Sequence, residues 1–159
     1  MRNVLVAYFS ASGITERIAK TIAELANADI YEIKPVESYS AADLNWLDKT
    51  SRSTREMQDL SFRPEIIDTN AHIDDYDIVF LGFPIWWYVA PTIINTFLEK
   101  YDFSHKKIVL FATSGGSGFG KTIDNIRPSV SDTTKIIEGK VLNRKADTSE
   151  IQAWVKTIV

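Results

Sequence analysis

Three short stretches of the chain concentrate residue types able to do chemistry. The first is Ser10-Ala11-Ser12-Gly13-Ile14-Thr15, three hydroxyls and a glycine set between an apolar run and a helical pattern. Successive backbone N–H groups around Gly13, at a helix N-terminus with its partial positive charge, form an anion site that needs no lysine. The same residues would also serve as a hydroxyl-rich helix cap. The second stretch is Pro84-Ile85-Trp86-Trp87-Tyr88, with Pro91 close behind. Three consecutive large aromatics in extended chain cannot all enter a core, because alternate residues face opposite ways. At least one should lie at the surface, either as ordinary exposure or as a flat wall for a planar ring system. In the second case each stacking contact adds about 0.5–1.5 kcal/mol beyond area burial. The third stretch is Thr113-Ser114-Gly115-Gly116-Ser117-Gly118, continuing to Gly120. Its glycines remove side chains and let backbone approach a ligand closely.

The elements that would position these loops alternate along the chain. Residues 3–9, NVLVAYF, form a continuous apolar run of the kind a strand buried on both faces shows. Ile14, Ile18, Ile22 and Leu25 then recur at steps of four, four and three, one face of a helix. DIYEIK (29–34) alternates as a strand and stops at Pro35, and YDIVFLGF (76–83) is a second strong run. APTIINTFLEKY (90–101) reads as a helix with Pro91 in its first turn, and KKIVLFAT (106–113) as a third buried strand. A short helix is expected from about Phe119, a weaker strand at TKIIEGKVL (134–142), and a terminal amphipathic helix at 148–159 capped by Thr148 or Ser149. Strands alternating with helices mean parallel βαβ units. The predicted fold is α/β, a single domain over 1–159: a doubly wound five-stranded parallel sheet in the order 2-1-3-4-5. Ligands of such sheets sit outside the carboxyl ends of the strands where the order reverses, here between the first and third strands. All three chemical loops fall there. Segment 35–72 is too long for a simple connection, and SAADLNWLDKTSRSTREMQDL within it is expected to carry one or two helices.

Composition removes several classes of function. With 45% hydrophobic and 25% charged residues, a net charge of -3 and a pI near 5.4, the chain lacks the basic stripe that nucleic acid or an anionic membrane would require. No cysteine is present, which excludes disulfides, thiol catalysis and thiolate metal sites. The apolar run VLVAYF after Arg2 is too short for a signal peptide, and no run reaches transmembrane length, so a cytoplasmic location is expected. His72 and His105 read as solvated loop residues, no cluster has metal-ligand spacing, and Asp74, Asp75 and Asp77 form a solvated turn at the opposite edge of the sheet.

One motif competes with this picture. GGSGFGKT (115–122) satisfies G-x-x-x-x-G-K-[ST], the phosphate loop of nucleotide hydrolases, which keeps that activity as an alternative. Against it, no strand ends in a suitable aspartate and only 37 residues follow the motif. Lys121 is then a solvated residue at a helix start.

A phosphate nest, a flat aromatic wall and a backbone-lined loop at one edge together describe a site for flavin mononucleotide (FMN). The phosphate is expected on residues 10–15 and the isoalloxazine between the second and third loops. On these residues the chain resembles the flavodoxin-like superfamily over essentially its whole length. SASGIT is similar to the flavodoxin phosphate loop [ST]-x-[ST]-G-x-T. GFPIWWYVAPTIINTFLEKYDF with FATSGGSG resembles a flavodoxin-type subfamily and, more distantly, quinone reductases that transfer hydride through bound flavin. The resemblance implies that Pro84 to Tyr88 and Thr113 to Ser117 border the isoalloxazine, their amides tuning N5, O4 and the pyrimidine edge. Those reductases carry a tyrosine and a histidine beyond the glycine loop, where this chain has Phe119 and Gly120. Flavodoxins are strongly acidic around the flavin, whereas these loops hold Glu16 against Arg17 and Lys121. The expected function is electron transfer with a redox partner protein. The alternative is an FMN-dependent NAD(P)H oxidoreductase acting on a quinone or other small acceptor. Either would be a monomer or homodimer.

Overall fold

Val4–Tyr8 (β1) is buried at all five positions, so both of its faces are covered. The computed structural model describes residues 3–114, 117–143 and 146–159. In chain order β1 is followed by α1 (Ile14–Ala26), β2 (Asp29–Glu32), β3 (Lys34–Pro35), α2 (Arg52–Gln58), β4 (Ile66–Ile67), β5 (Ile78–Pro84), α3 (Thr92–Lys100), β6 (Lys107–Thr113), α4 (Thr122–Ile126), β7 (Lys135–Leu142) and α5 (Thr148–Lys156). Five of the strands form one sheet in the order β2-β1-β5-β6-β7, every neighbouring pair parallel.

That order corrects the expected 2-1-3-4-5 in its numbering. Two further strands, β3 and β4, stand outside the main sheet as an antiparallel pair, so the strands beyond them are fifth, sixth and seventh in the chain. The physical reason is the long segment after β2. Its ends are stitched together by β3 and β4 and by the Val36 N–H bond to the Glu65 carbonyl (3.0 Å). Between them lies one regular helix, α2, capped by Ser51, whose hydroxyl accepts from the Thr54 N–H.

The period-2 alternation of the central strands divides the core into two layers. Leu5, Ala7, Val79, Leu81, Ile108 and Leu110 face Ile93 and Phe97 of α3 and Ile126 of α4. Val4, Val6, Ile78, Phe80, Val109 and Phe111 face Ile18 and Ile22 of α1 and Ile151 and Val155 of α5. Each large aliphatic or aromatic side chain so buried contributes about 1.5–3 kcal/mol, which makes these three strands a rigid base for the loops at their ends.

Two helix boundaries differ from expectation. α4 starts at Thr122 rather than near Phe119, because Phe119 is buried against Phe83 and Gly120 takes a left-handed φ of 55°. α5 is capped by Asp147 rather than Thr148 or Ser149; the Asp147 carboxylate accepts from the Glu150 N–H at 2.8 Å. Among the described residues no helix is long and apolar enough to cross a membrane.

Candidate functional site

Hydrogen bonds between neighbouring strands carry past their ends and fix where the loops begin. Phe9 N–H reaches the Gly82 carbonyl (2.9 Å), and Ile85 N–H reaches the Thr113 carbonyl (2.9 Å). The three loops therefore leave β1, β5 and β6 side by side, at the switch point of the sheet.

Residues 10–13 bend sharply into α1. Gly13 holds φ at 93°, a conformation that favours glycine, and its N–H donates to Ser10 Oγ at 3.0 Å. The helix begins its own bonding with Arg17 N–H to the Gly13 carbonyl (3.2 Å), so the amides of Ile14, Thr15 and Glu16 stand at the start of the helix ahead of that first bond. Ser12 is exposed beside them, and Ala11 is half-buried. The three hydroxyls do not converge on one point. Ser10 is engaged with the loop itself, and Thr15 is buried with Oγ1 2.7 Å from Thr113 Oγ1.

The aromatic loop is a tight turn rather than extended chain. Trp86 and Val89 exchange both backbone hydrogen bonds (2.9 and 3.2 Å), and Trp87 and Tyr88 between them sit at φ 49° and 66°. Positive φ at both central residues is the requirement of a type I′ turn. This turn, not strand alternation, separates the three rings. Trp86 is half-buried and held edge-on by Phe9 (5.8 Å between centroids) and Tyr39 (5.4 Å). Trp87 and Tyr88 are 41% and 69% exposed. Pro84 and Ile85, half-buried, lead into the turn.

In the third loop Thr113 is buried, while Ser114 and Ser117 face each other. Their hydroxyls are 2.9 Å apart, and Ser117 N–H donates to Ser114 Oγ at 2.8 Å. Gly115 and Gly116 lie outside the described residues. Gly118 has open space where a Cβ would stand. Gly120 serves the neighbouring loop instead: a Cβ there would lie 2.1 Å from the Tyr88 carbonyl oxygen, so the third loop packs directly on the aromatic turn.

Ile85, Trp86, Trp87, Tyr88, Ser114 and Ser117 enclose a cavity of about 450 Å³ whose remaining wall comes from Leu44, Trp46 and Ser53. Those last three belong to the long segment after β2 and were not among the expected site residues. Trp46, a lone tryptophan in a polar connection, was the available signal. The segment is held in place by a clasp. Arg52 Nε donates to Glu56 Oε2 (2.8 Å), Tyr39 OH donates to Glu56 Oε1 (2.5 Å), and the guanidinium lies 3.8 Å over the Tyr39 ring. Burial, and then the hydrogen bond to Glu56, push the Tyr39 hydroxyl far above the ordinary tyrosine range. Asp43, Asp48 and Asp59 are engaged in local turns with Ser40, Thr50 and Ser61, and none of them lines the cavity. Among the described residues the lining thus holds no carboxylate and no cation.

The GGSGFGKT match takes a different form from a nucleotide-hydrolase loop. Thr122, whose hydroxyl would face a metal, is fully buried and donates to the Phe119 carbonyl at 2.6 Å. Lys121 is exposed at the start of a helix of only five residues.

No curated protein matches the chain. Among solved structures, a protein described as a flavoprotein from Bacteroides uniformis is 42% identical, with 98% of each chain covered and a TM-score of 0.88. A second, from Bacteroides eggerthii, is 40% identical over 99% of this chain and 98% of that one, with a TM-score of 0.86. A flavoprotein from Lactobacillus acidophilus, solved in complex with FMN, is 25% identical over 97% of this chain and 99% of that one, with a TM-score of 0.70. The model of the Flavodoxin family matches residues 3–158. A match of that extent places this chain in the flavodoxin family.

Proposed function

We propose that the protein binds FMN at the carboxyl edge of the sheet and transfers electrons in the cytoplasm with a redox partner protein. The observation that carries this reading is the 450 Å³ cavity between the aromatic turn and the Ser114–Ser117 pair. Its donor set suits the cofactor. First-turn amides and the exposed Ser12 can meet a phosphate, and Trp86 and Trp87 offer flat apolar surface to a ring system. A mostly apolar cavity with a few polar groups is the common form of a cofactor pocket. The FMN-bound relative from Lactobacillus acidophilus supports the same choice.

Bound FMN would supply the redox chemistry, taking up and releasing electrons. The residues of this chain bind and orient it. Trp86, braced by Phe9 and Tyr39, gives a wall that does not need to rearrange. The Ser114–Ser117 bonds hold those two serines together on the cavity wall. On the cavity wall Trp46, Trp87 and Tyr88 are exposed, an apolar rim that favours brief contact with a partner protein, this chain acting as monomer or homodimer. The charge-free lining favours a second reading, an FMN-dependent NAD(P)H oxidoreductase, since no carboxylate there repels an anionic nicotinamide.

Titrating flavin-free protein with FMN tests the first claim. A visible flavin spectrum with quenched emission and a dissociation constant in or below the micromolar range is expected, and unquenched free FMN would overturn it. Anaerobic mixing with NADPH separates the two roles. No reduction within seconds is expected of a carrier, whereas fast saturable reduction would make the protein a reductase.

A further inference from the structure

We infer that Ser53 is a flavin-binding residue and that residues 44–53 form the outer wall of the cofactor site. The inference rests on the FMN reading above. Ser53 is 2% exposed and lines the cavity, yet its Oγ has no hydrogen-bond partner among the described residues. The adjacent hydroxyls are all satisfied. Ser51 Oγ donates to Thr54 Oγ1 (2.9 Å), and Thr54 Oγ1 donates to the Asp48 carbonyl (3.0 Å). Buried polar groups without partners are rare and destabilising, so one that borders a cofactor-sized cavity points to a polar atom of the occupant.

The backbone carrying Ser53 is fixed on several sides. Its own N–H bonds the Asp43 carbonyl at 2.9 Å. The preceding residue, Arg52, bonds Glu56 and the Glu37 carbonyl (2.8 Å each) while stacking on Tyr39. Tyr39 in turn packs against Trp86, the braced ring on the other side of the cavity. One connected set of contacts therefore sets the distance between Ser53 and the aromatic wall. Leu44 and Trp46 continue the wall toward solvent. A serine hydroxyl both donates and accepts, so it can serve a ring nitrogen or a ring carbonyl of the flavin.

The test is Ser53→Ala, read by FMN titration and by thermal unfolding with and without FMN. The FMN dissociation constant should rise about three- to tenfold, the factor expected of one neutral hydrogen bond. The flavin-free variant should melt at or above the wild-type temperature, because an unsatisfied buried hydroxyl has been removed. The stabilisation produced by FMN should shrink. Weaker binding without loss of flavin-free stability is an outcome a purely structural hydroxyl cannot give. Trp46→Ala, at a 69% exposed position, should also weaken FMN binding several-fold. An unchanged dissociation constant in Ser53→Ala, or a lowered flavin-free melting temperature, overturns the role of Ser53 while the FMN reading stands. Absence of FMN binding by the wild-type protein overturns both.

Discussion

Thr15 Oγ1 and Thr113 Oγ1 lie 2.7 Å apart in a buried position, tying the first turn of α1 to the last residue of β6. The bond joins the loop that precedes α1 to the loop that follows β6, across 98 residues of sequence. Thr15→Val leaves the Thr113 hydroxyl buried and alone, so it should destabilise the protein by about 1–3 kcal/mol. Replacing both threonines by valine removes the orphan and should recover part of that loss. Urea unfolding of the two single variants and the double variant measures the coupling; additive losses would show that the hydroxyls do not interact.

Ser12 is the exposed hydroxyl of the loop between β1 and α1, where the phosphate is proposed to bind. Ser12→Ala should weaken FMN binding roughly ten- to a hundredfold, the effect of a hydrogen bond to a charged group worth about 1.5–3 kcal/mol. Riboflavin, without the phosphate, should bind wild type and variant alike. Lys121→Ala should leave FMN affinity unchanged. Parallel titrations with the two flavins check this, and an equal loss for both would move the phosphate off this loop.

Trp87 and Tyr88 hold left-handed backbone that costs non-glycine residues about 1–2 kcal/mol each. Replacing the pair with Asn-Gly, the preferred type I′ sequence, should raise stability by about 1–2 kcal/mol. FMN binding should weaken at least tenfold, because two rings leave the wall. Denaturant melts and flavin titration of one variant read both effects, and retained affinity would remove these rings from the site.

Gly118 and Gly120 are two residues apart and should respond oppositely to alanine. At Gly118 nothing lies within 4 Å of a new Cβ. At Gly120 φ is 55° and the Cβ would strike the Tyr88 carbonyl at 2.1 Å. Gly120→Ala should lose at least about 1 kcal/mol of stability and displace the aromatic turn, with a change in tryptophan emission. Gly118→Ala should be near neutral.

Alkaline pH should weaken the fold through its half-buried tyrosines. Burial, then the hydrogen bond to Asp29, raises the Tyr76 hydroxyl from 10.0 to about 12, and burial with Glu56 raises Tyr39 further. The folded state thus holds these protons more tightly than the unfolded chain. The stability they provide is complete below the ordinary tyrosine value and is lost as pH rises through 10 toward 12. Urea midpoints should fall between pH 9 and 11.5, and Tyr39→Phe should make that fall shallower.

The chain itself determined the central strands and the edge at which the three loops meet. Residues 3–9 and 106–113 are apolar runs that only a strand covered on both faces can bury, and loops leaving such strands in parallel must share one edge. Hydroxyls before a helix face and glycines after a strand are local signals, so the positions of loops 10–13 and 114–121 between their elements were legible. Tertiary structure decided how their side chains are used. Thr15 turns inward because Thr113 waits at the end of a neighbouring strand, and no local pattern encodes a partner 98 residues away. Trp86 to Tyr88 became a turn because Val89 pairs back to Trp86 and the bare Gly120 accommodates the Tyr88 carbonyl. Ser53, Leu44 and Trp46 reach the cavity because Arg52, Glu56 and Tyr39 clasp an irregular polar segment to the sheet edge. Such a segment has no hydrophobic period to read, and its place is set by a few directional bonds that exist only once the distant groups have met.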